Sequence, residues 1–218
     1  MIEAKDYYDH ALALHGHKCP AMPLGLRAGA AAMNALGVTR AADSQLLALV
    51  ETGEDHCGTC YADGVQMITG CTLGKGNISK LHYGKWGLTL IDTAAGRAVR
   101  VTPTAATLQA SQHSAFITDY RAKGIPASQV PPEIAEPLMQ HVMDAPDSEL
   151  LAVGTITTRQ VPHRPHSFTG LVCGNCGEMV IEPYARIAGG KTVCIPCQQQ
   201  LTGTMPASPS SPLRAHPA

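Results

Sequence analysis

Apolar positions recur along this chain in helical and strand-like spacings, arranged in short alternating blocks. Over residues 2–14, Tyr8, Leu12 and flanking alanines share one face of a predicted helix, with Gly16 placed to cap it. Pro20 suits the first turn of a second helix, which carries Leu24, Leu26, Met33 and Leu36 and stops at Gly37. Residues 46–52 form a short apolar run before Gly53, which reads as a buried strand. A short helix is expected over 61–69, then a loop with three glycines at 70–77. Residues 88–92 and 98–101 read as paired strands around Ala95-Gly96. Helices over 104–123 and 132–143 and a strand over 150–157 complete the larger part. Strands followed by helices and a returning strand predict an α+β core over residues 1–160, not a doubly wound sheet.

Composition divides the chain further. Pro162, Pro165 and two histidines mark a linker at 161–170, cysteines define a unit at 171–201, and a Pro/Ser/Ala-rich tail at 202–218 is expected to be disordered. With 218 residues and 44% hydrophobic content, the chain can bury one sizeable core and carry a small module. Sixteen Lys+Arg against seventeen Asp+Glu leave no basic footprint, so no nucleic-acid partner is expected. The N-terminus has no basic region leading into an apolar run, and no apolar stretch reaches about 18 residues. No membrane association is therefore expected. The default address is cytoplasmic, where thiols stay reduced and eight cysteines favour metal or redox chemistry over disulfides.

Cys173/Cys176 and Cys194/Cys197 are two C-x-x-C pairs separated by seventeen residues. Each pair can form a knuckle with both sulfurs on one ion, and four thiolates complete the closed tetrahedral shell of structural zinc. Iron on the same thiolates and disulfides are the alternatives. The segment between the pairs is long enough for a hairpin turning at Gly189-Gly190. So small a module cannot fold on its apolar area alone, so metal must stabilise it. Its charges, Arg186 and Lys191 against Glu178 and Glu182, cancel, which favours packing or partner docking over DNA reading.

The remaining chemistry lies in the core. His15-Gly16-His17-Lys18-Cys19 offers a ligand at every second residue, and alternate side chains of an extended segment share one side. Cys19 precedes the helix at Pro20, and Cys60 precedes the helix of residues 61–69. Helix N-termini favour thiolates. His17, Cys19 and Cys60 are the expected metal ligands, with Cys71 or His15 as further ones. Cys60, His15, Asp63 and Lys75 are the candidates for catalysis: Asp63 or His15 to move protons, Lys75 to offset negative charge. Asp63 and Gln66 can share the helix face toward the site. Residues 70–77 fail the Walker A pattern, because only three residues separate Gly70 from Gly74-Lys75 and Gly76 follows the lysine. Cys57-Gly58-Thr59-Cys60 also matches a dithiol motif, so thiol–disulfide exchange is a rival reading.

These residues resemble the FmdE family, named for the E subunit of formylmethanofuran dehydrogenase. The matching pieces are His15-Gly16-His17-Lys18-Cys19-Pro20, Leu24-Gly25-Leu26-Arg27-Ala28-Gly29, Cys60-Tyr61-Ala62-Asp63-Gly64-Val65-Gln66 and Thr69-Gly70-Cys71-Thr72-Leu73-Gly74-Lys75-Gly76-Asn77. The resemblance implies an α+β core with an antiparallel sheet flanked by helices, a homodimer, and a metal-capable cleft. It adds Cys71, Lys75 and Asn77 as cleft residues, and a treble-clef zinc finger at 171–201. The chain departs from the family pattern at His56-Cys57-Gly58-Thr59, where an extra cysteine leaves the core metal open among Zn, Fe, Ni and an iron–sulfur cluster. The expected role is a metal-dependent enzyme or enzyme accessory subunit acting on a small-molecule substrate through the core Cys/His site; the alternative is a non-catalytic metal- or cofactor-delivery or iron–sulfur electron-transfer subunit with an oxidoreductase partner.

Overall fold

The computed structural model describes residues 1–54, 56–162 and 166–204. The predicted tail beyond residue 204, and linker positions 163–165, lie outside the described residues. The chain divides into two units, Met1–Val161 and Pro162–Ala218.

In the first unit a 3-10 turn, Ala4–Tyr7, leads into α1 (Tyr8–His15), so the predicted first helix begins tighter than an α-helix. Gly16 caps α1 in the left-handed region at φ 84°. Next comes α2 (Ala21–Leu36), buried at thirteen of its sixteen positions, as a helix apolar on every side must be. Then follow β1 (Leu46–Val50), α3 (Tyr61–Thr69), β2 (Ile78–Lys80), β3 (Leu88–Asp92) and β4 (Arg97–Pro103). Beyond them lie α4 (Ala105–Gln112), α5 (Pro132–Asp144), α6 (Asp147–Leu150), β5 (Leu151–Val153) and β6 (Thr157–Thr158). The sheet order is β2-β1-β3-β4-β5, with β6 also on β4. All its pairings are antiparallel except the edge strand β2, which runs parallel to β1.

Two predicted elements are divided. The helix expected over 104–123 ends at Gln112, and a π turn at Phe116–Tyr120 and a 3-10 turn at Arg121–Lys123 follow. The strand expected over 150–157 is broken into α6, β5 and β6.

The contact that positions the site is made by α2 and α3. A Cβ on Gly25 would sit 2.0 Å from the Tyr61 carbonyl oxygen, and one on Gly64 would sit 2.1 Å from that of Met22. Only glycine permits this approach of two backbones. Because Cys19 and Cys60 lie at the starts of these two helices, the crossing brings distant cysteines together.

The second unit contains a hairpin of β7 (Gly170–Val172) and β8 (Met179–Ile181), a hairpin of β9 (Ala185–Ala188) and β10 (Lys191–Cys194), and α7 (Ile195–Thr202). The second hairpin turns at Gly189-Gly190, both at positive φ. Its apolar core comprises four buried residues, Cys173, Ala188, Val193 and Cys197.

Candidate metal centres

In the core, four donor atoms lie within 4.8 Å of one another, from His15, His17, Cys19 and Cys60. The His15 and His17 Nε2 atoms are 3.1 Å apart, Cys19 Sγ is 3.5 Å from His15 Nε2, and Cys60 Sγ is 3.7 Å from His17 Nε2. Tetrahedral coordination with ordinary metal–nitrogen and metal–sulfur bonds separates donors by about 3.3–3.8 Å. The set therefore fits one ion.

Each donor is held by its neighbours. His15 ends α1, its side chain is 5% exposed, and its Nδ1 is 2.8 Å from Asp63 Oδ2. That carboxylate keeps Nδ1 protonated, so the Nε2 lone pair faces the other donors. The Asp63 carboxylate accepts a second hydrogen bond, from Gln66 Nε2 at 3.2 Å, and Gln66 Oε1 accepts the Leu73 backbone N–H at 3.0 Å. A hydrogen-bonded chain thus runs from the glycine-rich loop to an imidazole of the cluster. Cys19 is buried, and backbone N–H groups of Ala21 and Met22 in the first turn of α2 point at its sulfur. Cys60 occupies the N-cap position of α3.

With protons in place of metal, burial lowers the His15 pKa, but hydrogen bonds to Asp63 and Cys60, with their charges, outweigh it and raise the value to about 9. The hydrogen bond from Cys19 holds the Cys60 thiol well below its ordinary value, helped by His15 and against burial. The same hydrogen bond, with burial, pushes Cys19 up. A metal ion bound here would displace the proton from His15 Nε2 and keep Cys60 as a thiolate ligand.

Other expected site residues lie elsewhere in the fold. Cys71 is not among the converging donors: it is fully buried in the apolar core, and burial raises its thiol. Lys75, expected to face an anion, donates from Nζ to the carbonyls of Ala41 and Ala42 at 2.9 and 3.2 Å. Asn77 staples the same region, donating to the carbonyls of Asp43 and Leu46 and accepting from Thr72 N–H. The glycine-rich loop is thus tied down by its own polar side chains, and among the described residues Leu73 N–H links it to the cluster through Gln66. Cys57 is exposed and outside the donor set. Beside it, His56 packs edge-on against Trp86 at 5.0 Å and accepts the Gly58 N–H.

Sequence reasoning did not single out Gly25 and Gly64 as the residues that set the helix crossing. Their signal was two glycines inside helical patterns that otherwise favour side chains.

In the second unit, Cys173, Cys176, Cys194 and Cys197 form the other converging set. Cys176 and Cys194 sulfurs are 3.9 Å apart, and Cys194 N–H donates to Cys173 Sγ at 3.3 Å. Backbone N–H groups of Cys176, Cys194 and Asn175 lower the Cys173 thiol to about 6, which favours the thiolate that a metal requires.

Comparison with known proteins agrees with this division. Residues 14–152 match the family model described as FmdE, molybdenum formylmethanofuran dehydrogenase operon. Residues 167–202 match the prokaryotic dksA/traR C4-type zinc finger. A probable S-adenosyl-L-methionine-binding protein of Archaeoglobus fulgidus is 38% identical over 105 residues, covering 46% of this chain and 25% of that protein. The chain therefore spans only a quarter of that relative's length. A crystal structure of an FmdE-like protein from Syntrophus aciditrophicus, described as related to tungsten formylmethanofuran dehydrogenase, superposes with a TM-score of 0.59 at 20% identity. That superposition covers 90% of this chain and 92% of the other, and it shows a shared fold. Among the described residues, no helix is long and apolar enough to cross a membrane.

Proposed function

The chain belongs to the FmdE family, and from that membership we propose that His15, His17, Cys19 and Cys60 hold one divalent transition-metal ion that takes a small molecule as a further ligand. The observation that carries this reading is the convergence of two imidazoles and two thiols within 4.8 Å, with a carboxylate behind one imidazole. Carboxylate–histidine pairs of this kind orient metal-bound imidazoles and raise their basicity. Two soft and two borderline donors suit zinc, iron or nickel. A cluster of several irons would spread its ligands over a wider cage than these donors span.

A bound ion would supply Lewis-acid polarisation of the small molecule. Asp63 fixes the His15 tautomer, and the N–H groups at the start of α2 steady the Cys19 thiolate. His17 and Cys60 are only partly buried, so their side of the cluster is where a further ligand enters. The second centre carries structural zinc, its knuckle, hairpin and helix forming a treble clef. The resident compartment is the reducing cytoplasm, and the active form is a homodimer.

Metal content of the purified full chain tests this reading. Two ions per chain are expected in the native protein and one in Cys19→Ala. Two ions in the variant would defeat it.

A second reading rests on the same distances. Four donors already complete a tetrahedron, which suits a closed site in a non-catalytic subunit that docks on an oxidoreductase partner. Cobalt substitution separates the two: azide or cyanide shifts the visible bands of an open centre and leaves a closed one unchanged.

A further inference from the structure

A cleft of about 420 Å³ lies between the N-terminal helical segment and α5, within the size range of small-molecule sites. Two helical stripes face each other across it. One carries Lys5, Tyr8, Asp9 and Leu12, and the other carries Glu136, Met139, Gln140 and Met143. Both follow the spacing that places residues on one helix face. The floor is apolar, with Met139 and Met143 buried in the core, and thioethers adapt to varied ligand shapes. The rims are charged: Lys18 pairs with Glu136 at one end, and Lys5 pairs with Asp144 at the other.

None of the four core donors lines the cleft, but two of its lining residues neighbour them in the chain. Lys18 stands between His17 and Cys19 in sequence. On α1, Leu12 lines the cleft and His15 follows it by three residues, about 4.5 Å along the axis.

From this arrangement we propose that the cleft binds a zwitterionic α-amino acid with an apolar side chain and presents it to the core centre. A simple anion on Lys18 would leave Glu136 without its partner. A zwitterion satisfies both, its carboxylate on Lys18 and its ammonium on Glu136, while its side chain rests on Met139 and Met143. Both ends of the Lys18–Glu136 pair are about half exposed, and exposed ion pairs open readily. The binding step stands on the cleft alone; only the presentation to the centre rests on the proposed metal site.

The test uses the full chain loaded with cobalt and labelled in its methionine methyl groups. L-leucine, L-methionine and L-phenylalanine are titrated in turn, with leucinol lacking the carboxylate and 4-methylpentanoate lacking the amine. At least one amino acid is expected to shift the Met139 and Met143 methyl resonances saturably below about 10 mM, with both singly charged analogues at least tenfold weaker. Lys18→Gln and Glu136→Gln are expected to weaken that binding at least tenfold, whereas Lys80→Gln, on the edge strand β2, leaves it unchanged. No saturable shift from any of the three amino acids, or equal shifts from the analogues, overturns the proposal. The cobalt bands report separately. Bands that move with the amino acid support presentation to the centre, and bands that stay fixed while the methyls saturate refute it. Failure of the core to take up cobalt defeats the metal reading and leaves the methyl titration to judge the cleft.

Discussion

The two cysteine-rich centres are built in opposite order. In the core, four donors from residues 15–19 and 60 meet because α2 and α3, in a large apolar core, cross with their backbones in contact. In the C-terminal unit, four cysteines meet around an apolar core of four residues, two of which are themselves ligands. The first fold makes its site, and the second site makes its fold. Apolar burial on the scale of the core can stabilise a structure without metal, whereas a module of this size needs the ion.

The sharpest way to break that contrast is chelation. Structural zinc contributes about 10–16 kcal/mol of apparent folding free energy to small modules. A strong chelator, or Cys197→Ser, is therefore expected to unfold residues 170–202 while the core keeps its amide dispersion. Collapse of both units, or of neither, in a proton–nitrogen correlation spectrum would erase the distinction. The complementary change is Cys60→Ser, which is expected to lose the core ion yet move the core's thermal midpoint by only a few degrees, read by calorimetry. A core that unfolds as the module does would place it in the same class.

Smaller effects sharpen the picture of the core. Asp63→Asn is expected to weaken core metal affinity about 10–100-fold, with Gln66→Ala following the same direction less strongly, both measured by competition with a chromophoric chelator. The C-terminal centre in the same molecules should be unaffected. The smallest effect concerns acid. Hydrogen bonds from Arg100 hold the Glu51 carboxyl below its ordinary 4.5, against the opposing effect of burial. A carboxyl lowered in the folded state stabilises it fully above 4.5 and loses that contribution as pH falls through the folded value. Arg100→Gln is expected to remove that pH-dependent part, seen as a flatter denaturation midpoint against pH as it falls below 4.5. The module fails in acid for another reason, because protons compete with metal for thiolates.

Much of this was legible in the sequence, and the exceptions have physical causes. The helices of α2 and α3 and the strands β1, β3 and β4 follow from apolar spacing and glycine stops at Gly37 and Gly70. The strand β2 did not, because three residues carry no periodicity and its pairing with β1 is a long-range choice. The helix over 104–123 read as continuous, yet its middle passes through a π turn. At the site, His15, His17, Cys19 and Cys60 stood out because imidazole and thiol ligands are rare and their spacing is regular. The family resemblance implied Lys75, Asn77 and Cys71 as cleft residues, and a glycine-rich loop offers no sign of whether its polar groups face a ligand or the protein itself. Here Lys75 and Asn77 donate to carbonyls of residues 41–46, and Cys71 lies in the core.

Gly25 and Gly64 act as a spacer for the core centre, although neither supplies a donor atom. A methyl group at either position must pry apart two helices at whose N-terminal ends Cys19 and Cys60 stand. A mutational map coloured by metal occupancy would therefore light up at two glycines deep in the helix pair. A map coloured by nearness to the ligand atoms would leave both of them blank.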